Sequence, residues 1–105
     1  MMINKNDFLN LYAQKAPVRA LITTLNDEVE LRALSISELE NFIHLSQDGA
    51  NKMNAIFYAV SKGCVNPNFS TDELSALSAT AFKAIDEIAT KVLAISQETS
   101  TLTPR

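Results

Sequence analysis

The chain has 105 residues, of which 47% are hydrophobic and 20% are charged, and its net charge is −3. This length holds one hydrophobic core but not two, and the apolar content is too high for a disordered protein. We therefore expect a single compact domain over residues 1–96, followed by a flexible polar tail over residues 97–105. The acidic balance argues against nucleic acid as a partner, because such proteins normally gather basic residues on one face.

The sequence also lacks the patterns of secreted and membrane proteins. No window approaches the roughly 20 apolar residues of a membrane-spanning helix, and no signal-like apolar stretch lies near the N-terminus. The single cysteine, Cys64, has no partner for an internal disulfide, which agrees with a reducing compartment. These features predict a cytoplasmic protein that does not contact a membrane.

The first element predicted along the chain is a short helix from Asn6 to Lys15. Phe8, Leu11 and Tyr12 fall on one side of it, and the side chain of Asn6 is a suitable cap. Pro17 ends the helix, because a proline ring disfavours helical geometry in the residue before it.

The stretch from Val18 to Leu34 has two interpretations. The apolar spacing from Val18 to Leu25 is that of a helix, but the same stretch contains consecutive β-branched residues. The turn-forming pair Asn26-Asp27 and the alternation that begins at Val29 indicate a β-hairpin. We favour the hairpin, with its second strand near Val29 to Leu34, while the choice between strand and helix for the first part stays open.

Two amphipathic helices are predicted in the middle of the chain. Ser37 and Glu40 have the spacing of a capping box, so the first of these helices should begin at Ser37. The second begins near Ala50 and ends before the turn at residues 66–68. Its predicted buried stripe consists of Met53, Ile56, Phe57, Val60 and Cys64.

A second capping box, formed by Ser70 and Glu73, predicts the start of a helix. The final helical segment begins at Ser70 or at Ser78 and reaches about Ser96, either as one long helix or with a break near Ser78. Its predicted apolar stripe consists of Leu74, Leu77, Ala81, Ile85, Ile88, Val92 and Ile95. On the opposite, solvated face, Glu87 and Lys91 have the order of a favourable ion pair. The predicted fold is α+β and mostly α-helical, with an N-terminal helix and a small β-hairpin followed by three or four amphipathic helices.

The sequence offers little material for a catalytic or metal site. His44 is the one histidine, and its position beside polar residues predicts exposure to solvent. Cys64 ends an apolar stripe, where a free cysteine is usually a small core residue. We therefore predict that the protein is not an enzyme and that it has no cofactor and no metal site.

Two aromatic residues are candidates for contact with a partner protein. Tyr58 falls on the polar side of its helix, where a tyrosine either anchors a partner or lies half covered by a neighbouring helix. Phe69 precedes the Ser70 cap, where it is either an exposed contact or a hydrophobic staple against Leu74.

The order of these elements resembles that of the tail assembly chaperones of long-tailed, siphovirus-like bacteriophages and prophages. Two motifs carry the resemblance, which covers about residues 18–96. The first is Val29-Glu30-Leu31-Arg32-Ala33-Leu34-Ser35 at the junction of a strand and a helix, and the second is Asn66-Pro67-Asn68-Phe69-Ser70-Thr71-Asp72 before the last helical segment.

The resemblance implies a non-enzymatic protein of the host cytoplasm that binds the tape measure protein and keeps it soluble during tail tube assembly. It implies absence from the mature virion, self-association into a homo-oligomer, and the tail tube protein as a further candidate partner. We predict that Tyr58, Phe69 and Arg32, together with the edge of the hairpin, contribute to the partner surface.

Two alternative functions belong to other classes. One is a small stoichiometric regulator, such as an antitoxin-like protein or an adaptor, which would form a fixed complex with one partner. The other is a small enzyme that uses His44 or Cys64, which predicts loss of activity without loss of stability when either residue is replaced.

Overall fold

The computed structural model describes residues 2–14 and 16–97, which form a mostly helical α+β fold as predicted. The helices are α1 Lys5–Leu11, α2 Ile36–Gln47, α3 Lys52–Gly63, α4 Thr71–Ser75 and α5 Phe82–Ser96, and the strands are β1 Val18–Ile22, β2 Asp27–Leu31 and β3 Cys64–Asn66. Short 3-10 turns over Gly49–Asn51 and Ala79–Ala81 precede α3 and α5. Except for Gln97, the predicted tail lies outside the described residues. Within these residues no helix combines the length and apolar character needed to cross a bilayer.

The predicted β-hairpin is confirmed, and its first arm is a strand rather than a helix. β1 and β2 pair antiparallel, with Val18 opposite Leu31 and Ile22 opposite Asp27. Asn26, in the connecting turn, has a φ of 53°, a left-handed conformation that asparagine tolerates better than most residues. Strand geometry prevails because pairing with β2 places Ile22 in the core, where it is fully buried.

The second arm of the hairpin ends earlier than expected. β2 stops at Leu31, whereas the sequence pattern extended it to Leu34. The backbone N–H of Arg32 donates to the carbonyl of Gly63 at 2.8 Å, and the next residues lead into the cap of α2. The apolar alternation therefore continues beyond the strand itself.

A third strand, which the sequence did not predict, completes an antiparallel sheet of order β1-β2-β3. In β3, Cys64 lies opposite Leu31 and Asn66 lies opposite Glu30. The strand was missed because it has three residues, too few to show alternation, and because Cys64 continues the helical spacing of α3. Cys64 is buried as predicted, but it belongs to the strand and not to the helix.

The start of α1 differs from the predicted one. The cap is Asn4, not Asn6, and its side-chain Oδ1 accepts from the backbone N–H of Asp7 at 2.8 Å. The helix then ends at Leu11, four residues before the expected end at Lys15. Both asparagines are good caps by residue type, so composition did not decide between them.

The capping box of α2 is also placed differently, whereas that of α4 is confirmed. Ser35 and Glu38 form the box of α2, so the prediction of Ser37 and Glu40 is wrong. Ser70 and Glu73 form the predicted box, and a break follows α4 before α5 begins. Both serine-glutamate pairs near α2 have the right spacing, and the hydrogen bonds of Glu38 with Arg32 select the earlier one.

The core lies between the sheet, α3 and α5. Its largest fully buried side chains are Ile22, Leu31, Val60, Cys64 and Val92. Two residues of the predicted stripes are instead exposed, Met53 to 47% and Leu77 to 50%. Ala55 and Ala59 take the inner positions of α3 in place of Met53, and Leu77 lies in the break between α4 and α5.

The side chain of Glu87 attaches α5 to the turn of the hairpin. Its carboxylate accepts from the N–H and Oγ1 of Thr23, at 2.7 and 2.9 Å, and from the N–H and Oγ1 of Thr24, at 3.0 and 2.7 Å. The predicted ion pair with Lys91 is not formed among the described residues. The hydrogen bonds from Thr24, followed by those from Thr23, lower the pKa of Glu87 to about 2.

We expect the hydrogen bonds of Glu87 with the hairpin turn to make the stability of the fold depend on pH. Because the pKa of Glu87 falls from 4.5 to about 2 on folding, the ionised carboxylate stabilises the fold above pH 4.5. This contribution is lost as the pH drops through about 2. Urea unfolding between pH 6 and pH 2.5 should therefore show a smaller acid-induced loss of stability for Glu87→Gln than for the wild type. Asp86→Asn, one residue away, is the matched control and should keep the wild-type loss; equal losses in all three proteins would contradict the assignment.

A second expectation concerns Gly63, at the end of α3. A Cβ atom at this position would collide with the side chain of Val92 on α5, whereas one at Gly49 would meet nothing within 4 Å. Gly63→Ala should therefore lower the free energy of unfolding by about 1–3 kcal/mol through overpacking. Gly49→Ala, the control, should leave stability unchanged or slightly raised. Denaturant unfolding measures both, and equal stability of the two variants would refute the close approach.

Candidate interaction cleft

An apolar cleft of about 810 Å³ lies between α1 and the rest of the fold. This volume is within the range of about 300–1,000 Å³ that is typical of binding pockets. Most of its lining consists of apolar side chains. These come from α1, the start of β1, the connection between β2 and α2, and the end of α5. They include Phe8, Leu11, Tyr12, Val18, Leu31, Leu34, Ile36 and Ile95.

One wall of this cleft, α1, buries none of its residues. Phe8 is 49% exposed, Leu11 40% and Tyr12 53%, although the two rings pack against each other with centroids 4.9 Å apart. A helix of seven residues is well below the roughly 12 residues at which an isolated helix becomes marginally stable. The apolar face of α1 therefore lacks the tertiary cover that normally stabilises a short helix.

The floor of the cleft is fixed to α5 through Ser96. The backbone N–H of Leu34 donates to Ser96 Oγ at 2.8 Å, and this hydroxyl donates to the carbonyl of Val92, also at 2.8 Å. Leu31 and Leu34 are both buried beneath the cleft. The floor is therefore continuous with the core and its backbone is hydrogen-bonded.

Arg32 and Glu38 form a two-fold ion pair beside the floor. Arg32 Nη1 lies 3.0 Å from Glu38 Oε1, Nη2 lies 2.8 Å from Oε2, and Nη1 also donates to the carbonyl of Ala33 at 3.0 Å. Glu38 Oε1 accepts from the N–H of Ser35 at 2.9 Å, which places the capping box at this serine. The hydrogen bonds from Arg32 lower the pKa of Glu38 to about 2, and those to Glu38 raise the pKa of Arg32.

This ion pair decides the electrostatic character of the cleft. Among the described residues that line it, Arg32 is the one with a formal charge, and Glu38 neutralises that charge. An apolar group that occupies the cleft would therefore not bury an unpaired charge. Burial of an unpaired charge costs a large amount of free energy. The cleft is suited to apolar side chains and not to charged ligands.

The structure brings one of the three predicted partner residues to the cleft. Arg32 lines it, whereas Tyr58 and Phe69 do not. Tyr58 is half-buried on α3; its hydroxyl accepts from Asn41 Nδ2 at 3.3 Å, and Lys62 Nζ lies 5.8 Å from its ring centroid. Phe69 is partly buried against the core cluster, the arrangement expected of a staple.

Most residues of the cleft were not identified from the sequence as functional. The apolar side of α1 was recognised, but a sequence pattern does not show that a helix face lacks a partner. Ile36 offered one indication of this surface in the sequence, because it is an isoleucine in the first turn of a helix. In the structure it is 89% exposed. For Val18 the sequence left strand and helix open, and it predicted a partner surface only for the hairpin edge as a whole.

The residues considered for enzymatic chemistry lie apart from the cleft lining. His44 is exposed on α2, as predicted. Cys64 is buried, its Sγ donates to the carbonyl of Pro67 at 3.1 Å, and burial raises the pKa of its thiol. In the part of the chain that the structure describes, no three histidine, cysteine or acidic side chains are grouped to hold a metal ion.

Comparison of the chain with protein-family models, with curated proteins and with solved structures found no match. The resemblance to tail assembly chaperones therefore stays a prediction from the sequence.

The geometry at Arg32 predicts that a lysine at this position does not preserve the stability of the fold. A lysine ammonium cannot form the two parallel hydrogen bonds to Glu38, so Arg32→Lys should lower the free energy of unfolding by about 1–2 kcal/mol. Arg19→Lys is the matched control, because the Arg19–Glu28 pair is 3.7 Å long and its side chains are 76% and 55% exposed. That change should alter stability by less than about 0.5 kcal/mol. Chemical denaturation compares the two, and an Arg32→Lys variant as stable as the wild type would contradict the role of the pair.

Proposed function

We propose that this protein is a tail assembly chaperone of a long-tailed bacteriophage or prophage. In this proposal it acts in the host cytoplasm, binds the tape measure protein, keeps it soluble while the tail tube assembles, and is absent from the mature virion. The observation that carries the proposal is the apolar cleft beside α1, whose walls include half-exposed aromatic and aliphatic side chains. Contiguous exposed apolar surface of this kind marks sites of protein interaction.

The chemistry of the cleft favours an apolar helix as the client. Tape measure proteins, as the family resemblance implies, are long and helical and expose apolar stripes until the tube surrounds them. Such a stripe presents apolar side chains at spacings of three and four, and a hydrophobic groove accommodates them well. Because Glu38 neutralises the charge of Arg32, a client helix that binds here does not leave a buried charge without a partner.

The size of the cleft fits a reversible contact. Its volume holds a few side chains and not a whole helical surface, so one contact is weak. Many copies along one client nevertheless cover a long stripe, because binding along the same chain adds up through multivalency. Growth of the tube can then displace the copies one at a time.

Tyr58 and the edge of the hairpin are each proposed as a further contact with the client. Tyr58 lies on the surface of α3. Asn41 of α2 lies near its hydroxyl, and Lys62 lies near its ring. Phe69 contributes indirectly, because its ring packs on the core below the surface. Tyr58→Ala should weaken client binding without unfolding the protein, whereas Phe69→Ala should mainly lower stability. A Tyr58→Ala variant with unaltered client binding would remove this contact from the proposal.

Co-expression with a client tests the main contact. We would express the chain with the longest helix-rich protein encoded just downstream and measure how much of that protein stays in the soluble fraction. Ile36→Asp places a charge in the cleft and should reduce the soluble client several-fold. Met53→Asp is the matched control, because Met53 is 47% exposed and does not line the cleft. Met53→Asp should preserve the wild-type yield.

The composition of the soluble complex separates the two binding functions. Several copies of this chain per client support a chaperone. A fixed one-to-one complex instead supports the stoichiometric regulator. A client that precipitates equally with and without this chain would overturn the proposal.

A further inference from the structure

We propose that α1 is a movable lid of the cleft, which closes over apolar side chains that enter it and buries Phe8, Leu11 and Tyr12 against them. The floor, with Leu31 and Leu34 beneath it, stays fixed while the lid moves. The lid rests on the proposed function in one respect, namely that the side chains that enter belong to an apolar helix. It goes beyond that function because it assigns a motion to α1.

The first argument is that no polar contact holds α1 in place. Among the described residues, the hydrogen bonds of segment 2–14 all join atoms within that segment, and neither ion pair involves it. The floor, by contrast, is hydrogen-bonded to α5 through the N–H of Leu34 and Ser96 Oγ. Within the described fold, α1 therefore changes position without breaking a polar contact, whereas the floor does not.

The second argument is the connection between α1 and the sheet. Residues 12–14 and 16–17 form neither helix nor strand, so α1 is not a rigid extension of β1. Hinges are typically a few residues at the end of an element, where changes of φ and ψ are absorbed. Because Pro17 restricts its own φ and the conformation of the residue before it, residues 12–14 are the expected hinge.

The third argument is the apolar surface that α1 leaves uncovered. Phe8 is 49% exposed and Tyr12 53%, although both line the cleft, because the open volume of about 810 Å³ lies between α1 and the floor. Taking roughly 200 Å² for each whole aromatic side chain, the two rings together expose roughly 200 Å². Apolar side chains on the floor give these rings a surface on which to close, and the hydrophobic effect then favours closure.

The distribution of polar residues on α1 also suits a lid. At 100° per residue, Leu11, Phe8 and Tyr12 fall within one arc of the helix, and Asn6 and Asn10 fall on the opposite side. Closure therefore covers the apolar arc and leaves both asparagines in water. Side chains held between the lid and the floor are enclosed on two sides, which slows their release.

Distance measurements between spin labels test the closure. One label is attached through Asn10→Cys on α1 and the other through Glu40→Cys on α2, since both residues are exposed. The native Cys64 is buried, so the introduced cysteines are the ones that react. The probe is a synthetic peptide of roughly 20 residues with leucine at helical spacings of three and four, because shorter isolated helices are unstable in water. The probe should shorten the distance between positions 10 and 40, whereas the distance between Glu40→Cys and Lys83→Cys on α5 should not change.

Phe8→Asp tests whether the apolar face of α1 drives the closure. Because α1 contributes no buried residue, this variant keeps the core and folds. It should abolish the shortening and raise the dissociation constant of the probe peptide about tenfold or more. Leu9→Asp is the matched control: Leu9 is 55% exposed on the same helix but does not line the cleft. It should keep the shortening and change the constant less than about twofold.

Three results would overturn the lid. A probe that binds while the distance between positions 10 and 40 stays constant indicates that α1 is a fixed wall. A distance that increases, together with tighter binding to Phe8→Asp, indicates that α1 occupies the floor and is displaced. A probe that does not bind removes the occupant on which the lid closes. In the first two cases the cleft still binds an apolar helix, and failure of the chaperone function is read separately, as a client that precipitates in the co-expression experiment.

Discussion

The close approach of α3 to α5 at Gly63 is the constraint on which the rest of the structure depends. A side chain at this position would collide with Val92, so the absence of Cβ lets the two helices meet. At the same residue α3 ends, and its carbonyl accepts from the N–H of Arg32 at 2.8 Å. The following residue, Cys64, then pairs with Leu31. The absence of a side chain at this glycine thus permits the helix packing, and the same residue joins α3 to β3.

From this point the polar contacts fix the floor of the cleft in place. Arg32 leaves the sheet and binds Glu38, Glu38 caps α2 through Ser35, and Ser96 holds the N–H of Leu34. Among the described residues no polar or charged side chain is fully buried, so these contacts lie around the core and not within it. The arrangement leaves an apolar floor without an unpaired charge, and this combination makes the cleft suited to apolar side chains.

Local patterns predicted the local structure well, and long-range contacts account for the differences. The hairpin and the Ser70 capping box depend on neighbouring residues, and the structure confirms both, although Asp27 of the predicted turn belongs to β2. Glu87 has good spacing for Lys91, but four donors of the distant hairpin turn compete for its carboxylate. Ser35 and Ser37 are equally suitable as caps by residue type. The ion pair between Arg32 and Glu38 decides in favour of Ser35. The cleft was missed for the same reason, since it depends on what α1 fails to contact.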